Sequence, residues 1–294
     1  MHLDWLEDFL ALAETRNFSR AAAIRHVTQP AFSRRIRALE AWIGAPLVER
    51  RARGMVLNAA GLSLQARAGE LLRELRLARE AARNAAGQGS ALAIAATHAL
   101  SFTFFPGWIR ARAKLGTLRL ISDTMAACER ILMAGEADFL LCHVCPGVPT
   151  GLAAALFESV VIGTDQLVAV AAADDTGAPL HRLPAPAGQA VKMLAYSEAS
   201  GLGRILAATL PGRGVAGDPV FTAPFAATLQ SMARDGLGIA FLPRTMLGED
   251  VAAGRLTEAG PGFAIAVEIR LFRPRRRRTA TAEAFWHAIP PAPA

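Results

Sequence analysis

The amino-acid sequence predicts a mixed architecture, an α+β segment first and an α/β region after it, joined by one long helix. Three observations carry this reading. Apolar residues recur at helical spacing in three short stretches of the first sixty residues, which end in two short β-prone runs. A 4-3-4-3-4 apolar spacing then runs through Leu64, Ala68, Leu71, Leu75, Ala78 and Ala82. From Ala91 onward, apolar runs of the buried-strand kind alternate with helical patterns, which implies βαβ units and a mainly parallel sheet.

The first helix is expected over residues 4–14, where Trp5, Phe9 and Leu12 share one face. Arg16 and Asn17 break it, and Ser19 is the expected cap of a second, thin helix carrying Ala21, Ala22 and Ala23. Thr28 is the expected cap of a third helix over residues 29–42, with Pro30 in its first turn. Phe32, Ile36 and Leu39 form its inner stripe. Pro30, Ser33, Arg34 and Arg37 point the opposite way and Arg35 lies on a flank. Small and basic residues near a helix start suit major-groove insertion, although an ordinary solvated face has the same pattern. Residues 46–58 read as a hairpin with Arg50, Arg51 and Arg53 about its tip, placed to lie over phosphates. Asn58 can cap the long helix, expected over residues 59–86. Its length of roughly 40 Å exceeds what one small domain covers, so the seam implies a partner helix. Gly87, Gln88, Gly89 and Ser90 read as a hinge.

Composition narrows the function classes. Of the 294 residues 52% are hydrophobic and 19% charged, which excludes a wholly disordered chain. No apolar run approaches the ~20 residues of a membrane-spanning helix, and the start of the chain lacks a basic secretory n-region, so a cytoplasmic location is expected. A formal net charge of +7 favours a polyanionic partner. All basic residues but Lys114 and Lys192 are arginines, a genome-wide habit as much as a local choice, so position carries the argument.

The first sixty residues closely resemble the DNA-binding domain of LysR-type transcriptional regulators. The carrying stretches are Phe9 to Glu14, Asn17 to Ala22, Thr28 to Glu40 and Gly44 to Arg50. Gly135-Glu136-Ala137-Asp138 and Gly236 to Pro243 are similar to later motifs of the same family, so the resemblance covers nearly the whole chain. It implies a winged helix-turn-helix over 1–60, a dimerising linker helix and hinge over 61–89, and a periplasmic-binding-protein-like effector domain over 90–294. That domain has two lobes, one of residues 90–162 plus 267–294 and one of residues 163–266. The expected DNA-contacting residues are Thr28, Gln29, Pro30, Ser33, Arg34, Arg35, Arg37, Arg50, Arg51 and Arg53, and Leu64, Leu71 and Leu75 are the expected dimer contacts. Double-stranded DNA, a small-molecule effector, another copy of the chain (homodimer or homotetramer) and RNA polymerase are the implied partners.

In a two-lobed α/β domain, ligands bind at the carboxyl ends of strands between the lobes. Two loops fit: Thr97, His98 and Ser101 after the first strand, and Ser197, Ser200 and Arg204 entering a later helix, with Asp123, Thr124 and Phe225 near them in order. Amide groups at helix starts, hydroxyls and Arg204 suggest a small anionic effector. A narrower similarity, through Ile94 to Ser101, Leu156 to Ser159, Gly203-Arg204 and Ala284 to Trp286, is to a hypochlorite-responsive subgroup. That subgroup senses by methionine oxidation; Met125, Met193, Met232 and Met246 match no sensing motif of it, and a regulator switched by Met or Cys oxidation without a bound metabolite is the alternative to an effector-bound one.

Other constellations carry little. Cys142-His143-x-Cys145 supplies three ligands where structural zinc needs four, so no metal or other cofactor is expected. Gly236-x-Gly238 lacks a third glycine and precedes a strand, and no nucleophile-elbow, HExxH or P-loop motif occurs. The chain is therefore not expected to be an enzyme. The basic run Arg273 to Arg278 reads as a solvated loop.

Overall fold

A computed structural model describes residues 2–51, 54–85, 92–111, 117–184, 191–215, 217–276 and 279–290. The chain forms two compact units, Met1–Gly89 and Ser90–Leu132 with Glu136–Ala294. The hinge at 87–90, Arg53, Arg277 and Arg278 lie outside the described residues.

The first unit opens with α1 (Leu3–Thr15), α2 (Phe18–Ile24) and α3 (Gln29–Ile43). Arg16 takes a left-handed conformation and ends α1. Asn17, not Ser19, caps α2, its Oδ1 accepting the Arg20 N–H at 3.0 Å. The left-handed Arg16 reverses the chain early enough to bring Asn17 to the cap. Thr28 occupies the cap position of α3 but its hydroxyl makes no capping bond. Gly44, with φ +79°, terminates α3 as only a residue without Cβ does easily. The hairpin β1 (Val48–Arg51) and β2 (Gly54–Leu57) follows, antiparallel from Val48 opposite Leu57 to Arg51 opposite Gly54. The Glu40 carboxylate accepts the Leu47 N–H at 2.8 Å, fixing the hairpin to α3. Phe9, Leu12, Phe32, Ile36, Leu39 and Leu47 fill the core of this unit.

The long helix α4 (Ala59–Ala85) begins at Asn58, whose Oδ1 accepts the Gly61 N–H at 2.9 Å. A Cβ at Gly61 would sit 2.2 Å from the Leu47 carbonyl oxygen, so glycine permits this close approach. The seam splits in two. Ala68 and Leu72 are buried against Leu6 of α1, and Leu64 and Leu10 pack beside them. Leu64 is thus largely engaged within its own unit, because α1 crosses α4 at this height. Leu71 and Leu75 remain 56% and 45% exposed.

The second unit begins with β3 (Leu92–Thr97), α5 (His98–Thr103), α6 (Phe105–Arg110), β4 (Leu118–Asp123), α7 (Met125–Met133) and β5 (Phe139–Val144). The strand β3 is apolar from Leu92 to Ala96 because both faces are covered. Ile94 joins the side of Phe105, Trp108 and Phe285, and Ala93 and Ala95 join that of Met125, Cys128 and Leu132. Next come β6 (Phe157–Ala172), β7 (Lys192–Tyr196), α8 (Gly201–Thr209), β8 (Asp218–Ala223), α9 (Ala226–Arg234) and β9 (Ile239–Pro243). The chain closes with α10 (Gly248–Ala252), β10 (Leu256–Glu258), β11 (Ile265–Pro274) and α11 (Ala280–His287).

The strand order is β4-β3-β5-β11-β6-β9-β7-β8, with β10 on β6. Parallel strands make up each lobe, β4-β3-β5 in one and β9-β7-β8 in the other. Between them β6 and β11 run antiparallel to each other from Phe157 opposite Pro274 to Leu167 opposite Ile265. The sheet is therefore mixed where the sequence suggested a mainly parallel one.

Candidate functional site

Two places collect the residues singled out in the sequence. On α3, Thr28, Gln29, Pro30, Arg34 and Arg37 are exposed on the side away from Phe32, Ile36 and Leu39, and Ser33 is half-buried. The Gln29 side-chain amide donates to Ser33 Oγ at 3.3 Å and Arg37 Nε to the Ser33 carbonyl at 3.4 Å, so the face is lightly tethered. Arg35 departs from the expectation. Its Nη1 donates to Asp8 Oδ2 at 3.2 Å, and Asp8 is fully buried. The backbones of Arg50 and Arg51 belong to β1, and Arg53 lies outside the described residues.

The second place is a cavity of about 30 Å³ between the lobes. Thr97, His98, Thr124, Ser200 and Phe225 line it, with Asp123, as their positions suggested. Four helices start at its wall: α5 through His98 and Ala99, α7 through Met125, α8 through Gly201 and Leu202, and α9 through Ala226. Their first amide groups and aligned dipoles favour negative charge there. The Thr97 hydroxyl is buried and without a hydrogen-bond partner among the described residues. Ser200 Oγ caps α8, accepting the Gly203 N–H at 3.4 Å.

Three expected cavity residues do not line it. Ser101 Oγ donates to the His98 carbonyl at 2.7 Å and lies 2.9 Å from Ser122 Oγ, because Ser101 sits one helical turn beyond the start of α5. Ser197 uses its amide to bond the Ala223 carbonyl, joining the ends of β7 and β8. Arg204 points away from the cavity and makes a two-pronged ion pair with Glu129 on α7, at 2.9 and 2.7 Å. Glu129 is buried and also accepts the Gly151 N–H at 2.7 Å. The charge that Arg204 was expected to offer a ligand therefore joins one lobe to the other.

Further contacts close the cleft. The Ala126 N–H donates to the Ala199 carbonyl at 3.2 Å, and the His98 and Phe225 rings meet at 4.8 Å. His143, buried on β5, contacts Asp165 at 3.3 Å, and the Thr245 hydroxyl donates to the same carboxylate at 2.7 Å. Burial alone would raise the Asp165 pKa, but bonds from His143, Thr245 and the Gln166 amide outweigh it and hold the group below its ordinary range. Met125, His143 and Tyr196 also line the cavity; the sequence marked Met125 only as a methionine and His143 only beside two cysteines, and Tyr196 not at all, since apolar and strand patterns absorb them. A larger, open groove of about 670 Å³ flanks the crossover strands, but its Arg244 and Glu268 are already paired with Glu258 and Arg270.

All three cysteines are buried, and burial pushes the Cys128 thiol up to about 12 and Cys142 higher still, so both stay protonated. Among the described residues no group of histidine, cysteine and carboxylate side chains could hold a metal ion, and no helix is long and apolar enough to cross a membrane.

Two family models match the chain, the bacterial regulatory helix-turn-helix protein of the lysR family over residues 3–62 and the LysR substrate binding domain over residues 85–292. The chain belongs to the LysR family of transcriptional regulators. It is 31% identical over 288 residues to the HTH-type transcriptional regulator YjiE of Escherichia coli K12, covering 97% of this chain and 93% of that protein. Its fold is similar to that of DarR from Vibrio fischeri, whose structure is a complex with DNA, with a TM-score of 0.56, 28% identity and 98% of each chain covered. The full-length HypT of Salmonella typhimurium, a hypochlorite-specific LysR-type regulator, matches with a TM-score of 0.56, 29% identity and 98% and 96% of the two chains covered. LysR-type regulators are DNA-binding proteins and not enzymes, so the face of α3 and the inter-lobe cavity stand in the regulator's DNA-binding and effector-binding domains.

Proposed function

We propose that this LysR-type regulator reads an operator through the exposed face of α3 and is switched by a very small polar effector, a monoanion or a hypohalous species, held between the lobes. The observation that carries this is the unpartnered Thr97 hydroxyl on a cavity of about 30 Å³ where four helices begin. With the lobes as they stand, that space suits a few waters or an ion of a few atoms. No arginine or lysine lines it, and its one carboxylate, Asp123, already accepts the Thr124 N–H at 2.6 Å. Helix starts and hydroxyls, with no fixed cation, suit a single negative charge better than a polyanion. The effector acts only if it favours one arrangement of the lobes over another.

A thermal-shift titration of the full chain with sodium bromide, sodium nitrate and sodium benzoate at constant ionic strength tests this. Bromide or nitrate is expected to stabilise the wild type and benzoate is not, because a ligand bound only to the folded form raises stability by mass action. Thr97→Val is expected to lose that shift while binding DNA as before. A Thr97→Val protein that shifts like the wild type would overturn the assignment.

A second reading is favoured by Met125, which is buried and forms part of the same wall. A small oxidant entering the cavity meets this thioether, whereas the protonated thiols of Cys128 and Cys142 are poor targets. HypT is a hypochlorite-specific relative. Bromide-induced stabilisation separates the readings, since an oxidation switch needs no reversible ligand.

A further inference from the structure

The DNA-binding unit buries a carboxylate away from its DNA-reading face. Asp8, on α1, is fully buried, yet both of its oxygens are engaged by cations from the helix-turn-helix. Arg25 Nε, just after α2, donates to Oδ1 at 2.7 Å, and Arg35 Nη1, on α3, donates to Oδ2 at 3.2 Å. Arg25 also donates through Nη2 to Glu7 at 2.7 Å. The side chains of Arg25 and Arg35 are still 27% and 35% exposed, so each guanidinium lies at the surface while bound inward. Arg34 and Arg37, on either side of Arg35 in the sequence, are exposed and face outward.

An arginine at the rim of a helix-turn-helix is by default a phosphate contact, and phosphate contacts add affinity for every sequence alike. Binding to an interior carboxylate removes that option in two ways. The fork of the guanidinium is oriented away from the duplex, and its charge is neutralised before DNA arrives. We infer that Asp8 masks Arg25 and Arg35 from the phosphate backbone and so lowers non-specific binding relative to operator binding. Asp8 is thus a positioning residue for sequence discrimination, acting from inside the core through two arginines. Arg35 correspondingly leaves the set of DNA-contacting residues that the sequence pattern suggested.

The test is the salt dependence of the full chain on a random-sequence 30-bp duplex, because the slope counts phosphates engaged. A role as a mere brace between helices would alter stability and leave the slope alone. Asp8→Asn releases Arg35, while Glu7 still holds Arg25. The slope of log K against log salt is expected to steepen by about 0.9, so that binding falls roughly 3–4-fold further between 50 and 200 mM salt than in the wild type. The preference for an operator selected from a randomised pool is expected to fall in parallel. An unchanged or shallower slope would overturn the inference. Arg35→Gln leaves the Asp8–Arg25 pair in place and serves if Asp8→Asn does not fold. Its slope is expected to match the wild type, whereas that of Arg37→Ala becomes shallower by about 0.9. A shallower slope for Arg35→Gln would show that Arg35 contacts phosphate and would defeat the proposal.

Discussion

Asp165 joins three segments through one carboxylate: His143 on β5, Thr245 after β9 and its own crossover strand β6. Because its pKa is lower in the folded chain, it contributes stability that is complete above the ordinary value of 3.8 and is lost as pH falls through the folded value. The effector domain is expected to lose thermal stability on acidification below about pH 4. Asp165→Asn should be less stable at neutral pH and show a flatter profile in the acid range, as unfolding scans between pH 3 and 6 would reveal. An equally steep acid loss in Asp165→Asn would move the effect to other carboxylates, Asp250 first, which is likewise held low by Arg234, Arg255 and Gln230. At the same scale, Thr97 and Arg204 show how one residue's direction decides its role. Thr97 ends β3 and Arg204 sits in the first turn of α8, yet the Thr97 hydroxyl closes on the cavity while Arg204 turns to Glu129.

At the scale of elements, α4 has two faces with different tasks. Ala68 and Leu72 pack on Leu6 of α1, and another face of the same helix leaves Leu71 and Leu75 exposed. Two large exposed leucines one turn apart on a 27-residue helix are the arrangement expected of a subunit contact. Leu75→Glu is expected to shift sedimentation toward smaller species by placing an unpaired charge in that contact, with little change in the stability of the unit itself. An oligomer unchanged by Leu75→Glu would place the interface elsewhere. The wing depends on a different device. Glu40 holds the start of the hairpin to α3 through the Leu47 amide.

Over the whole effector domain, closure is maintained by contacts that no single lobe contains. The Arg204–Glu129 pair, the Ala126–Ala199 bond and the His98–Phe225 contact all cross the cleft, while β6 and β11 connect the lobes as continuous strands. Arg204→Ala would leave the buried Glu129 with only the Gly151 amide. It is expected to destabilise the domain by about 1–3 kcal/mol in urea unfolding, the range for leaving a buried charged group short of partners. It should also weaken the bromide response by loosening the closed form. Unchanged stability together with an unchanged response would show that the pair does not hold the lobes.

The sequence by itself determined the order of the elements in the first unit, the inner and outer faces of α3, the capping role of Asn58 and the family, because each depends on local spacing or on a contiguous motif. Periodicity placed Phe32, Ile36 and Leu39 inside and Arg34 and Arg37 outside, since a helix of 3.6 residues per turn leaves no other choice. The tertiary structure alone decided which polar side chains find one another. Asp8 meets Arg25 and Arg35 across 17 and 27 residues, and Glu129 meets Arg204 across 75. Such pairs leave no mark on local spacing, because a buried charge is tolerated only where a distant partner arrives to neutralise it. The same holds for the cavity: Thr97, Met125, His143 and Ser200 come from four separate segments, and only the closure of two lobes around the crossover strands makes them neighbours.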